Sequence, residues 1–357
     1  MRPKNMDENL FYNGTKLINS KDRFGNKPGI FVVDGNRSAG KTTYFNRMVV
    51  NRFKKYGQKF MLIYRNKNEL PGCDDKFFKD IHELFFPDDE MTSEKREDGT
   101  FFELFLNEHS CGYAIPLSMS GKIKKLSHFF SDVENIIFDE FQDLGGAYLT
   151  DEVKKFLTVY VSIARGHGCP VRYVPVYMIS NHISSLNPYY KEWNCAVDVD
   201  NIKEGFYKGD GFVIEKNLNL HVADLQKQSP VLRAFSGSDA VKHIIDNESI
   251  VDSHAFIENI KLKQSTYIAN IACDGETISL RSVVHNGEHL YYFTDEYNSN
   301  YGTIIAVDTQ NHNTDTILMG RTLSMMLAVK RAFDNGQVRF KDISVKDKAF
   351  KFMLIAV

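Results

Sequence analysis

The chain lacks every cysteine pattern that would fix a framework. Its five cysteines, Cys73, Cys111, Cys169, Cys195 and Cys273, are scattered, odd in number and never paired as Cys-x-x-Cys. That argues against a disulfide scaffold and a zinc site, and fits a reducing compartment. No apolar run approaches membrane-spanning length, and Met1 to Asp7 carries no apolar signal core, so the protein is expected to be soluble and unexported, with no membrane partner. An excess of basic charge is also missing. There are 44 Lys and Arg against 46 Asp and Glu, a net charge of −2, so any nucleic-acid contact must come from a local patch. Internal repeats and low-complexity tracts are absent as well. What remains is a globular composition, 43% apolar and 25% charged over 357 residues, long enough for two domains of ordinary size.

The stretch Ile30-Phe-Val-Val-Asp-Gly-Asn-Arg-Ser-Ala-Gly-Lys-Thr-Thr43 organises the rest. Ile30 to Val33 reads as a buried strand. Gly35, four intervening residues and Gly40-Lys41-Thr42 then complete a phosphate-binding loop. Its glycines let backbone N–H groups turn inward around an anion. Lys41 offers a point charge to the β- and γ-phosphates, and the Thr42 hydroxyl is placed to ligate Mg²⁺. A helix starting near Gly40 aims its positive end at the same anion. The candidate nucleotide-phosphate contacts are therefore Gly35, Asn36, Arg37, Ser38, Ala39, Gly40, Lys41, Thr42 and Thr43, with Lys41 also catalytic.

Along the chain, Lys41 to Tyr56 is expected to be a helix closed by Gly57. Lys59 to Arg65 is a second strand and Cys73 to Phe86 a second helix. Phe101 to Phe105 and Tyr113 to Ile115 are short strands of a hairpin or insertion. Gly121 to Lys125 is read as a loop, Asn135 to Phe141 as a third strand, and Thr150 to Arg165 as a helix with Thr150 at its N-cap. Tyr173 to Asn181 is a fourth strand in which Pro175 predicts a distortion or an edge. Strands alternating with helices predict a mostly parallel, doubly wound α/β sheet. Residues 1–200 are assigned to this domain, 201–240 to a linker or small bridging segment with one short strand-like piece, Gly211 to Glu215, and 241–357 to a smaller α+β domain. In the latter, Thr266 to Ala272, Thr277 to Val284, His289 to Phe293 and Thr303 to Val307 are expected as antiparallel strands. Helices over Thr316 to Asn335 and Val345 to Leu354 follow.

Several residue groups carry candidate chemistry. Asp139-Glu140 closes an apolar strand about a hundred residues after the phosphate loop. Parallel strands deliver their C-termini to one edge, so Asp139 would serve the metal and Glu140 would polarise the attacking water. Asn181, after the fourth strand, is either a sensor of the γ-phosphate or a turn-starting Asn. Arg165 is either an arginine reaching a neighbour's γ-phosphate or a helix-ending cation favoured by the dipole. Lys122, Lys124 and Lys125 either contact a DNA backbone or form a solvated loop. Leu10-Phe11-Tyr12-Asn13 either covers a nucleotide base or anchors the segment to the core. His243, His254, His285 and His289 lack metal-ligand spacing and read as satisfied surface histidines. Asp274, Asp295 and Asp308 fall near strand ends, where a two-metal nuclease would gather carboxylates.

These residues, in this order, resemble the DNA-packaging ATPase (encapsidation protein) of small phi29-like podoviruses. The likeness runs through Leu10 to Asn13, the phosphate loop with Arg37, Asn51-Arg-Phe-x-Lys-Tyr-Gly57, Ala114-Ile-Pro-Leu-Ser118, Phe138-Asp-Glu-Phe141, Ser180-Asn181, Asn187-Pro-Tyr189 and Ala332-Phe-x-Asn-Gly-x-Val-Arg-Phe340. The resemblance implies an additional-strand P-loop ATPase with an RNase H-like C-terminal domain. It implies ATP and Mg²⁺ as cofactors, with Lys41 and Thr42 on phosphate and metal, Asp139 as the metal acid, Glu140 as catalytic base and Arg165 as a finger given to a neighbouring subunit. Lys122, Lys124 and Lys125 match a pore loop that grips double-stranded DNA. The family works as a homopentameric ring on the portal of a procapsid in the host cytoplasm, and its C-terminal domain is a nuclease without its acids, docked on the portal or on a packaging RNA. Gly166-His-Gly168 departs from a more basic stretch in the family, and Asp274 places an acid at a strand end. The alternatives are a terminase-like ATPase that also cuts DNA and a nucleotide-gated scaffold.

Overall fold

The computed structural model describes residues 11–143, 146–165, 170–236, 241, 252–298, 300 and 304–353. They form two compact units, Met1–Ile250 and Val251–Val357.

In the first unit a nine-stranded sheet has the order β3-β4-β5-β2-β6-β7-β1-β9-β8. Its strands are β1 (Ile30–Gly35), β2 (Lys59–Tyr64), β3 (Met91–Arg96), β4 (Phe101–Leu106), β5 (His109–Pro116), β6 (Val133–Asp139), β7 (Val176–Asn181), β8 (Gly205–Lys208) and β9 (Phe212–Asn217). From β5 to β9 in this order the neighbours all run parallel. Antiparallel pairing is confined to β3–β4–β5 and β8–β9. Strand β7 lies between β1 and β6, the inserted position expected of an additional-strand P-loop fold.

The helices follow from the apolar spacing. In chain order they are α1 (Thr15–Ile18), α2 (Lys41–Tyr56), α3 (Cys73–Phe85), α4 (Ser120–Lys125), α5 (Glu152–Ala164), α6 (Pro188–Glu192), α7 (Ala196–Asp200), α8 (Leu220–Lys227) and α9 (Pro230–Ala234). Helix α2 buries Phe45, Val49 and Val50, spaced to share one face. They meet Phe31, Val33 and Tyr177 in one core cluster, with the Phe45 and Tyr177 rings 5.2 Å apart. Each such buried side chain contributes about 1.5–3 kcal/mol. Gly57 ends the helix in the left-handed region, φ 69°, and its N–H donates to Phe53 O at 2.8 Å. The neighbouring residue Val32 points to the opposite face, where Phe138, Phe156 and Tyr189 pack; alternation along the strand thus splits the core into two layers.

Several sequence expectations change. The 201–240 linker is not a linker: β8 and β9 lie there, and β9 pairs along the whole of β1. The strand-like piece Gly211 to Glu215 is β9, which runs on to Asn217 because Glu215 and Lys216 are buried and satisfied by Tyr12 Oη at 2.7 Å and Val199 O at 3.3 Å. The first unit accordingly runs on to Ile250. Pro175 marks no edge; β7 is central and begins at the next residue, and Pro175 O accepts from Ile136 N at 3.0 Å. Thr150 is not the N-cap of α5. Asp151 is, at φ 55°, and Glu152 is drawn inward to pair with Arg65. The lysine loop is the short helix α4, anchored by buried Ile123.

In the second unit a six-stranded sheet has the order β14-β13-β10-β11-β12-β15. Its strands are β10 (Ser265–Cys273), β11 (Glu276–His285), β12 (Glu288–Thr294), β13 (Ile304–Ala306), β14 (Thr316–Leu318) and β15 (Val338–Phe340). The first three form an antiparallel meander. Strand β13, expected antiparallel, is parallel to β10, and β14 is parallel to β13. Thr316 to Leu318, expected as helix, is thus a strand whose β-branched residues pair with β13; the helix begins at Leu323. The helices Leu323–Asp334 and Ile343–Met353 pack Met326, Val329, Phe350 and Phe352 onto Ile271, Phe293 and Phe340. This is the α+β arrangement expected for the smaller unit.

Candidate active site

At the C-terminal ends of β1, β6 and β7 lies a cavity of about 1600 Å³. Arg37 to Thr43, Asp139, Glu140 and Ile179 to Asn181 line one side; Phe11, Tyr12, Tyr44, Arg47 and Phe85 line another. The loop geometry depends on two glycines. A Cβ on Gly35 would sit 2.2 Å from Asn217 O of β9, and Gly40 has φ 84° with the Phe11 ring 3.2 Å from where a Cβ would be. Only glycine fits either place.

Lys41 is buried. Its Nζ donates to Gly35 O at 2.9 Å, Asn36 O at 2.7 Å and Asn181 Oδ1 at 3.3 Å. Burial lowers its pKa to about 8, against the attraction of Asp34 and Asp139 and with some repulsion from Arg37. A buried cation held only by carbonyls is a strong anion site. Asn36 contributes backbone alone, since its side chain is exchanged with Asn219 (Nδ2 to O 3.2 Å, N to Oδ1 2.9 Å). Arg37, Ser38 and Thr42 are exposed to the cavity side, and Ala39 is buried.

Asp139 ends β6 and faces the same cavity as Thr42. Burial pushes its carboxyl up to about 6; the nearby Thr42 hydroxyl lowers it, the Glu140 charge raises it, and the Glu140 N–H and Lys41 lower it again. A carboxylate and a hydroxyl brought together, with the carboxylate short of compensating positive charge, suit a hard divalent cation. Glu140 is exposed and takes a left-handed backbone, φ 53°, so its side chain leaves the strand direction. Such strain in a non-glycine residue clusters at functional sites. Its N–H donates to Asp139 Oδ1 at 2.9 Å.

Two sequence candidates lie away from this cavity. Arg165 is exposed at the end of α5, and its Nη2 donates to Ser127 Oγ at 3.1 Å. Lys122, Lys124 and Lys125 are exposed on α4. Gly166 to Gly168, Cys169, Leu10 and His243 fall outside the described residues. The two readings of the N-terminal aromatics do not exclude each other. Tyr12 is anchored, its N–H on Ala39 O at 2.8 Å and its hydroxyl on Glu215, and it lines the cavity together with the more exposed Phe11.

Sequence reasoning missed Arg65, Asp34, Gln142 and His182. Arg65 is buried; it donates to Glu140 O at 3.3 Å and Phe141 O at 2.7 Å and pairs with Glu152 at 2.9 Å. The available signal was a charged residue closing an otherwise apolar strand, true of both Asp34 and Arg65.

A model of the podovirus DNA encapsidation protein (Gp16) family matches residues 6–356. The chain belongs to that family. As a member, it is 28% identical over 350 residues to the DNA packaging protein of Bacillus phage PZA, covering 97% of this chain and 98% of that one. The DNA packaging protein of Bacillus phage phi29 matches to the same extent. Among solved structures, a chain of the bacteriophage Phi-29 viral genome packaging motor assembly has a TM-score of 0.70 at 22% identity, covering 97% of this chain and 99% of that one. The Phi-28 gp11 DNA packaging motor gives 0.57 at 16%, over 98% and 99%. Both are likenesses of fold.

In the second unit of this encapsidation-family chain, the three acids singled out near strand ends each have partners. Asp274 pairs with Lys351 and Asp295 with Lys341 at 2.5 Å each. Asp308 accepts from Gln310 N and Asn311 N. His285 pairs with Glu258 at 2.8 Å. No group of three or more metal-ligating side chains occurs among the described residues, and no described helix is long and apolar enough to cross a membrane.

Proposed function

We propose that this protein is an ATP-driven motor that translocates double-stranded viral DNA into a procapsid. The observation that carries the reading is the convergence of Lys41, the Thr42–Asp139 pair, Glu140 and Asn181 on one cavity. In this reading Lys41 and the N-terminal N–H groups of α2 hold the triphosphate. Asn181 senses its terminal phosphate. Glu140 accepts a proton from the attacking water. Thr42 and Asp139 would hold Mg²⁺, which supplies charge neutralisation at the phosphates. Arg165, turned outward from its own cavity, serves that of a neighbouring copy in a pentameric ring. Lys122, Lys124 and Lys125 grip the DNA backbone. The docking partner is the portal or a packaging RNA, and the host cytoplasm is the setting. Membership of the encapsidation family supports this reading, and so do the relatives named as DNA packaging proteins.

The test is steady-state phosphate release from ATP by the full chain, with and without duplex DNA. Repeated turnover that rises with DNA and is lost in Lys41→Ala is expected. Binding of ATP without turnover would instead fit a nucleotide-gated scaffold.

A further inference from the structure

Behind the phosphate loop, one carboxylate joins the chain segments that face the cavity. Asp34, the residue before Gly35, is fully buried. Its Oδ2 lies 2.8 Å from His182 Nδ1 and accepts from Gln142 Nε2 and Tyr190 Oη, each at 3.2 Å. Gln142 follows Glu140 by two residues, and its Oε1 accepts from Ile183 N and Ser184 N at 3.0 Å each. His182 directly follows Asn181, whose Oδ1 accepts from Lys41. Gln142 and His182 are buried, and neither they nor Asp34 line the cavity.

The arrangement is a poor device for stability alone. Asp34 Oδ1 is buried and has no hydrogen-bond partner among the described residues. A buried charge with an unfilled oxygen costs free energy that a well-packed apolar residue would avoid. What the carboxylate supplies is register between the end of β1 and the segments after β6 and β7. The side chain of Gln142 spans from the segment after β6 to the segment after β7, and Asp34 fixes it from β1.

Resting on the ATPase reading, we propose that Asp34 is a positioning residue for the hydrolytic step: through Gln142 and His182 it sets Glu140 and Asn181 against Lys41. A network of this kind acts on the geometry of attack more than on the grip of the phosphates by the loop. A displacement on the order of 1 Å can cost about a hundredfold in rate.

The experiment compares Asp34→Asn, Gln142→Leu, the double variant and Tyr190→Phe in the full chain. Phosphate release gives kcat and KM, a fluorescent ATP analogue gives affinity, and circular dichroism reports folding. Each single variant of Asp34 and Gln142 is expected to lose about a hundredfold in kcat with affinity within about twofold, and the double variant to lose no more than the worse single one. Tyr190→Phe removes a bond to the same carboxylate but holds no cavity-facing segment, so its kcat stays near wild type. Should Asp34→Asn not fold, Gln142→Leu against Tyr190→Phe decides the matter. Unchanged kcat in Gln142→Leu, equal losses in Gln142→Leu and Tyr190→Phe, or losses that multiply in the double variant overturn the inference while leaving the ATPase reading intact. No turnover by wild type overturns both.

Discussion

The Arg165 guanidinium donates to Ser127 Oγ at 3.1 Å, tying the end of α5 to the segment just after the lysine helix α4. The two candidate groups that act outside the chain's own cavity are therefore neighbours. If Arg165 serves a second copy, this bond is its resting partner and must break when the ring engages. Arg165→Ala should lower DNA-stimulated kcat by about a thousandfold or more, with ATP affinity near wild type. A loss of affinity without loss of kcat, measured by phosphate release and analogue binding, would remove the finger role.

Glu140 at φ 53° gives a second prediction. Glu140→Gln keeps the shape and removes the base, so ATP should bind and turnover fall by about 10²–10⁴-fold. Single-turnover chemistry separates this from slow product release.

The Asp139 carboxyl, pushed up to about 6 by burial, sets a pH dependence. A raised acid favours the folded state below its unfolded pKa, and that contribution is lost as pH rises from about 4 through 6. Two units correspond to roughly 3 kcal/mol at most. Asp139→Asn should therefore raise the melting temperature of the nucleotide-free protein at pH 7.5 and have much less effect at pH 4, while abolishing turnover. Equal melting shifts at both values would show that the carboxyl carries no such penalty.

The buried pair of Arg65 and Glu152 yields a stability prediction. Glu152→Ala removes the 2.9 Å partner of the Arg65 charge and leaves it the longer pair with Asp143 at 3.8 Å beside Glu140 O and Phe141 O. It should cost about 3–5 kcal/mol in urea unfolding. A change below about 1 kcal/mol would mean that water reaches the guanidinium.

For the lysine helix, replacing Lys122, Lys124 and Lys125 with Gln should weaken duplex binding without sequence preference. If all three meet phosphates, the salt slope of the binding constant drops by about 2.7. An unchanged slope would assign them to solvent.

Much of the site was legible because its chemistry is local in sequence. The loop from Gly35 to Thr43, the acids Asp139 and Glu140, and the Gly57 helix stop each declare themselves within a few residues. What escaped depends on tertiary burial. Strand β9 shows as the strand-like piece Gly211 to Glu215, but its place beside β1 does not, because it rests on burial of Glu215 and Lys216, satisfied through distant Tyr12 and Val199. Strand β3, Met-Thr-Ser-Glu-Lys-Arg, is a polar edge with no apolar alternation. The lysines looked like a loop because only Ile123 of α4 is an apolar anchor. Asp34 was visible as a lone acid in an apolar strand, but its partners Gln142 and His182 are more than a hundred residues away.

The most direct test of the account mixes two inactive proteins. On the proposed roles, Lys41→Ala subunits lose ATP but keep Arg165, and Arg165→Ala subunits hold ATP but lack the finger. With duplex DNA present, neither alone is expected to release phosphate at a useful rate, and the mixture is expected to recover part of the wild-type rate. A mixture as inactive as its components, beside an active wild type, would contradict catalysis shared between neighbouring copies.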